Sequence, residues 1–423
     1  MEYKKSKLKN GLQVIMSPLR ETQAVTILVL LPVGSRYETE ETNGISHFIE
    51  HLLFKGTKKR PTTLDLVKDI DQVGAFFNAF TGKEYTGYFI KIDAKKIELG
   101  LDILSDILFN STFKQEEIDR ERGVVIEELK MYRDNPLMYI SNLFEQTLFE
   151  GNKLGWDIGG SQEVIAKVTR AQILNYYKKH YHPENMILTL AGRFNEASAK
   201  KLITNYFGQQ DSQFEKTKAG FAEIKLKPQT AIRVNFKKQA SEQVQLELGF
   251  PGYKYGDPRN YAATLLSVIL GGNMSSRLFI NVRERNGLAY FVKSDTEDYR
   301  DIGVFSIRAG VAKQNVKKTI ELIVEDLNKI KAEKVDLAEL QKAKDWVRGK
   351  MILGLEDSES IAQWCGDQQL YAGKIMTPQE RLEKFEKVSI DDIQKIAQDI
   401  FKISKMSVAI IGPQKVDLTN LKK

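Results

Sequence analysis

One cysteine, Cys365, stands among 423 residues, which excludes an intrachain disulfide and any cluster of thiolate metal ligands and fits a reducing compartment. Cys365 itself reads as a small buried residue. No apolar run approaches the length that spans a bilayer, so no membrane anchor is expected. The basic start from Met1 to Lys9 lacks the apolar stretch and small-residue cleavage site of a secretory leader, and Asn10-Gly11 turns into an apparent strand; a cytoplasmic location is the expectation. A strong excess of one charge is missing too. The 63 Lys and Arg residues face 56 Asp and Glu spread along the whole chain, a solvated surface rather than a basic stripe, so no nucleic-acid partner is expected.

What remains is a globular composition, with 42% hydrophobic and 28% charged residues, long enough for two or three cores. The chain also contains itself twice. Lys167-Val168-Thr169 through Ile173 matches Lys387-Val388-Ser389 through Ile393, and Met186 to Gly192 matches Met406 to Gly412, both at an offset of 220. Strand-like runs at Val25 to Leu31 and Val244 to Phe250 each meet a proline, Pro32 or Pro251, offset by 219, and then a helix-like segment. Amphipathic stretches at Ile97 to Leu108 and Val316 to Ile330 alternate with these runs. The expected fold class is α+β: two homologous domains in tandem, residues 1–207 and 228–423, joined by a polar linker at 208–227.

With only four histidines in the chain, His47 and His51 fall in Gly44-Ile-Ser-His47-Phe-Ile-Glu50-His51. On a helix turning about 100° per residue, the two imidazoles lie roughly 40° apart, with Glu50 about 60° to the other side, so the three share one sector. Imidazoles one turn apart can grip one zinc ion, and a neighbouring carboxylate can take a proton from its water. A chance His-x-x-Glu-His in such a composition has a probability of roughly three in a thousand, and the order is that of the inverted zinc-peptidase motif. A third ligand must come from elsewhere. Glu116 to Met131 reads as a helix on which Glu121 and Glu128, seven apart, share a face that Glu127 does not; on spacing alone, solvated, ion-pairing glutamates are the better reading of them.

With these residues in place, the chain resembles the pitrilysin group of metallopeptidases over essentially its whole length. The carriers are Ser46 to Thr57, Asn78 to Thr86, and Leu270 to Phe279 followed by Arg283 and Tyr290. The family pattern puts a glutamate ligand 77 positions after the second motif histidine, on Glu128, and an assisting glutamate on Glu121. The resemblance implies one zinc ion per chain held by His47, His51 and Glu128, with Glu50 as the general base. It also implies an edge strand near Gly74 to Phe80 onto which an extended substrate adds, Asn78 and Ala79 touching it, and Arg283 and Tyr290 holding substrate carbonyls. On their own terms, Asn78 reads as the start of a turn, Arg283 as a surface cation and Tyr290 as a core aromatic. His180 and His182, before Pro183 at a helix end, read as capping or surface residues and stay outside the site.

Two departures bear on function. Leu266 and Leu270 stand where the offset of 219 would put the histidines, so only the first copy can bind zinc. The Gly271-Gly272 segment is much shorter than the glycine-rich loop of the processing peptidase's noncatalytic subunit, which speaks against presequence processing. The expected activity is zinc-dependent hydrolysis of internal bonds in unfolded peptides. Because larger relatives carry four such domains around a chamber, a homodimer with sites shared between chains is expected. A non-hydrolytic binding or structural subunit, or a catalytic subunit that needs a noncatalytic partner, are the alternatives.

Overall fold

A computed structural model describes residues 1–210, 220 and 222–418; of the predicted linker, 211–219 and 221 lie outside the described residues. The chain packs into two compact units, each discontinuous in sequence. Unit 1 comprises Met1–Lys130, Asp157–Ala222 and Leu353–Met376, and unit 2 comprises Met131–Trp156, Glu223–Ile352 and Thr377–Lys423.

The sheet of unit 1 uses β1 (Lys4–Lys7), β2 (Gln13–Pro18), β3 (Ala24–Leu31), β4 (Phe76–Thr81), β5 (Thr86–Asp93) and β6 (Ile187–Gly192), in the order β1-β2-β6-β3-β5-β4. Central β3 is apolar except for Thr26 because both its faces are covered. Val25, Ile27, Val29 and Leu31 enter one core, while Leu28 and Leu30 face the other way, toward Ile361, Ala362 and Cys365. Those three belong to the helix Ser358–Ala372, whose Ser358 hydroxyl meets that of Thr26 on β3 at 2.8 Å. Cys365 is fully buried there, as its isolation in the sequence implies.

Unit 2 repeats this plan with β7 (Arg233–Lys238), β8 (Gln243–Gly252), β9 (Ala289–Asp298), β10 (Gly303–Ala312) and β11 (Ser407–Gly412), in the order β7-β11-β8-β10-β9. Strand for strand this is β2-β6-β3-β5-β4, and the directions agree: β2 with β6 and β7 with β11 are parallel, and every other pair is antiparallel. The predicted α+β class with two mainly antiparallel sheets is therefore observed. The repeat extends to single side chains. Thr169 caps the helix Arg170–His180 through a box with Gln172, and Ser389 caps Ile390–Ile400 through the same box with Asp392.

The copies exchange one helix. Pro136–Leu148 follows the long helix Gln115–Asp134 of the first half yet packs through Leu143 and Phe144 among Ala409 and Ile411 of unit 2. Its counterpart in the repeat, Ser358–Ala372, covers the unit 1 sheet. The boundaries of compactness thus differ from those of the sequence repeat at these two helices.

The amphipathic stretches form the helices Ile97–Asn110 and Val316–Ala332. Strand β1, with three lysines in four residues, has no counterpart in the repeat among the described residues and carried no pattern by which to predict it.

Candidate metal centre

The motif helix Ile45–Leu53 buries Ile45, Phe48, Ile49, Leu52 and Leu53, leaving His47, Glu50 and His51 on the opposite, half-open face. Each large side chain so buried contributes roughly 1.5–3 kcal/mol, which fixes the helix's rotation and hence the direction of the histidines. Its start depends on Gly44, at φ 96°, where a Cβ would stand 2.3 Å from the Gly159 carbonyl oxygen. Buried Glu38 accepts from the Gly44 and Ser46 amides at 2.7 and 2.8 Å and from the Asn43 side chain at 2.9 Å, satisfying donors that every helix start leaves free.

His47 Nε2 lies 3.2 Å from His51 Nε2, and Glu128 Oε2 lies 3.3 Å from His51 Nε2 and 3.7 Å from His47 Nε2. Four ligands at tetrahedral zinc distances stand about 3.3 Å from one another, so this triangle matches one face of such a site. Glu128 comes from the helix Gln115–Asp134. Glu121 on the same helix, 4% exposed, meets His51 Nδ1 at 2.9 Å with one oxygen and Lys55 Nζ at 2.7 Å with the other. A carboxylate on Nδ1 keeps the proton there and turns an Nε2 lone pair toward the other two donors. The donor set and its orientation fit zinc. Among the described residues, His47, His51 and Glu128 are the group placed to hold a metal ion. Glu127, 72% exposed, points to solvent and pairs with Lys130.

The electrostatics follow from this packing. Burial, and then repulsion from His51, holds the His47 imidazole below its ordinary value, favouring the neutral, ligating form. Burial acts the same way on His51 but is outweighed by hydrogen bonds to Glu121 and Glu128, which bring it up to about 9 in the absence of metal. The Glu128 carboxyl is lowered, chiefly by the hydrogen bond to His51. Burial raises that of Glu50, partly offset by a short hydrogen bond that its Oε2 accepts from the Thr81 hydroxyl. A half-buried carboxylate with a raised pKa is suited to accept a proton and release it again.

Thr81 ends β4, the outer strand of its sheet. Asn78 and Ala79 lie in that strand, so Asn78 does not begin a turn; its Oδ1 accepts from the Ala79 amide at 2.9 Å. Strand alternation puts Ala79 and Thr81 on the face of the motif helix, and Asn78 on the other. Arg283 and Tyr290 belong to unit 2, where the guanidinium lies 5.6 Å from the Tyr290 ring centre and 4.9 Å from that of Phe279. Tyr290 is 71% exposed, not a core aromatic. Leu266 and Leu270, at the positions of the missing histidines, are fully buried.

His180 and His182 are buried, which corrects the surface reading; His182 does bond the Lys179 carbonyl at the preceding helix end. The sequence did not reveal Glu38, Thr81 or Lys55. A carboxylate six residues ahead of Gly44, a strand-end hydroxyl and one surface lysine among many carry no local pattern.

Residues 13–161 match the family model described as Insulinase (Peptidase family M16), and residues 167–346 match the model described as Peptidase M16 inactive domain. The chain is similar to the uncharacterized zinc protease YmxG of Bacillus subtilis, at 33% identity across 96% of this chain and 97% of that one. A Rickettsia felis protein, also named an uncharacterized zinc protease, is 35% identical over the same shares. The solved structure of a protease from Helicobacter pylori superposes with a TM-score of 0.92 at 26% identity, covering 97% of this chain and 99% of that one.

Proposed function

Because the chain belongs to the M16 peptidase family, which its two matches show over more than half its length, we propose that it is a zinc-dependent endopeptidase acting on unfolded peptides. The observation that carries this reading is the convergence of His47, His51 and Glu128 within one unit, with Glu50 on the same helix face. His47, His51 and Glu128 would hold one zinc ion. When bound, zinc supplies Lewis acidity toward a water and a scissile carbonyl.

The chain's own residues do the rest. Glu121 holds His51 in its ligating orientation, and Glu50, steadied by Thr81, takes the proton from the attacking water and delivers it to the leaving amine. The outer edge of β4 offers backbone groups to an extended peptide, fixing the bond to be cut beside Glu50. The resemblance further supports substrate contacts by Asn78, Ala79, Arg283 and Tyr290, and a homodimer with shared sites. Among the described residues no helix is long and apolar enough to cross a membrane.

The test is cleavage of a quenched, unfolded peptide by the zinc-loaded chain, beside Glu50→Gln and a chelator. Cutting that both abolish establishes the peptidase. A chain that binds zinc and peptide yet never cuts is instead a binding subunit or lacks a partner.

A further inference from the structure

A peptide added to β4 directs alternate side chains to the two faces of the sheet. One face holds Glu50 and the histidines. On the other, a cavity of about 520 Å³ lies between Phe76 and Phe80 of β4, Phe89 of β5, and the face of Ser358–Ala372 that presents Glu359, Trp364 and Asp367. Every one of these residues belongs to unit 1. Phe76 is 55% exposed and meets Phe89 with ring centres 5.7 Å apart, while Trp364 is fixed by its indole N–H on the Met376 carbonyl at 2.9 Å. The aromatic walls are thus held in place around an open space.

No lysine or arginine lines this cavity. Asp367 accepts from the Gln363 amide at 2.6 Å, and neither it nor Glu359 forms an ion pair with any described residue. Burial pushes the Asp367 carboxyl up to about 7 and raises that of Glu359. The corresponding groove of unit 2 makes the contrast. It has 290 Å³ and carries buried Glu247, but Arg308 lines it too and lowers the cost of that charge. In unit 1 the nearest cation, Lys91, acts on Glu359 from outside the cavity and is itself paired with Asp357, so the cavity has no cation in its own lining, and its aromatic walls suit the apolar stem and planar head of one.

We propose that this cavity is a specificity subsite taking one arginine or lysine side chain of the peptide substrate, its head between Asp367 and Glu359 and its stem against Phe76, Phe80 and Trp364. The proposal rests on the reading of β4 as the peptide-binding edge. Positions opposite Phe80, Asn78 and Phe76 fall one, three and five residues from the level of Thr81, so the basic residue lies roughly 3–17 Å along the strand from the bond cut beside Glu50.

The experiment moves a single arginine through an unfolded quenched peptide, with isosteric, uncharged citrulline at the same position as comparator. At one position of odd spacing, arginine is expected to raise kcat/KM about tenfold or more over citrulline, as a charge-assisted contact does. In the double variant Asp367→Asn, Glu359→Gln that ratio falls toward one. Cleavage of arginine and citrulline peptides at equal rates throughout overturns the subsite, as does a preference that survives the double variant; the peptide comparison in the unaltered chain needs no variant to fold.

Binding of the same labelled peptides to the zinc-loaded Glu50→Gln chain, read by anisotropy, separates the two readings. Arginine-selective binding by a chain whose parent never cuts overturns the peptidase and supports the subsite. Cutting without selectivity overturns the subsite alone, and neither cutting nor selective binding overturns both.

Discussion

At the residue scale, the His51 imidazole is held from both sides, by Glu121 on Nδ1 at 2.9 Å and by the ligand cluster on Nε2. Glu121→Gln preserves shape but removes the charge that keeps the Nδ1 proton in place. Zinc affinity is expected to fall about 10–100-fold, measured by competition with a chromophoric chelator, while the circular dichroism spectrum stays unchanged. An affinity equal to the parent's would make Glu121 a partner of Lys55 and nothing more. Glu50→Gln should do the opposite: zinc stays bound and cleavage falls by roughly a thousandfold or more, because a proton acceptor is removed and no ligand is. The histidine pair of the candidate metal centre was legible because two scarce residues recur at helical spacing with a carboxylate between them. Glu128 and Glu121 were not legible from local spacing in a helix rich in glutamate. Their assignment needed the family pattern, and the geometry then separates them from Glu127 by direction and exposure.

At the element scale, the motif helix is anchored by Glu38, which no capping rule would select because it stands outside the N-cap position. Replacing it by alanine strands the Gly44 and Ser46 amides in a buried site. Glu38→Ala should destabilise the fold by roughly 2–4 kcal/mol, and the altered helix start should also weaken zinc binding. Thermal melts of apo and zinc-loaded protein check both effects, and a melt unchanged in either state would show that water replaces Glu38 at no cost. In unit 2, β8 carries Glu247, whose carboxyl burial pushes from 4.5 to about 7 despite Arg308 and a hydrogen bond from Ser141. A carboxyl whose pKa rises on folding holds its proton more tightly in the fold. Its cost is therefore absent below about pH 4.5, grows through neutrality and amounts to at most about 3 kcal/mol above pH 7. Glu247→Gln keeps the acceptor without the charge. It should raise the melting temperature at pH 8 more than at pH 5, and an equal change at both would show that Glu247 ionises freely in the fold.

At the scale of the whole molecule, the duplication was legible because strands β6 and β11 and the two capping boxes keep one offset. The helix exchange was not, since Pro136–Leu148 and Ser358–Ala372 look alike whichever sheet they cover; only the cores show the swap. The second copy kept its strands but put buried leucines where ligands would stand, so among the described residues the candidate metal centre lies on unit 1, while Arg283 and Tyr290 lie on unit 2. If two chains assemble so that each zinc centre is served by Arg283 of the other, a mixed dimer of Glu50→Gln and Arg283→Ala chains contains one site with both residues intact. Random exchange makes half the dimers mixed, so two nearly inactive preparations should regain roughly a quarter of the parent activity on mixing. Exchange is followed independently by energy transfer between differently labelled chains. Recovery that tracks exchange supports shared sites, whereas completed exchange with no recovery means that Arg283 does not act across chains.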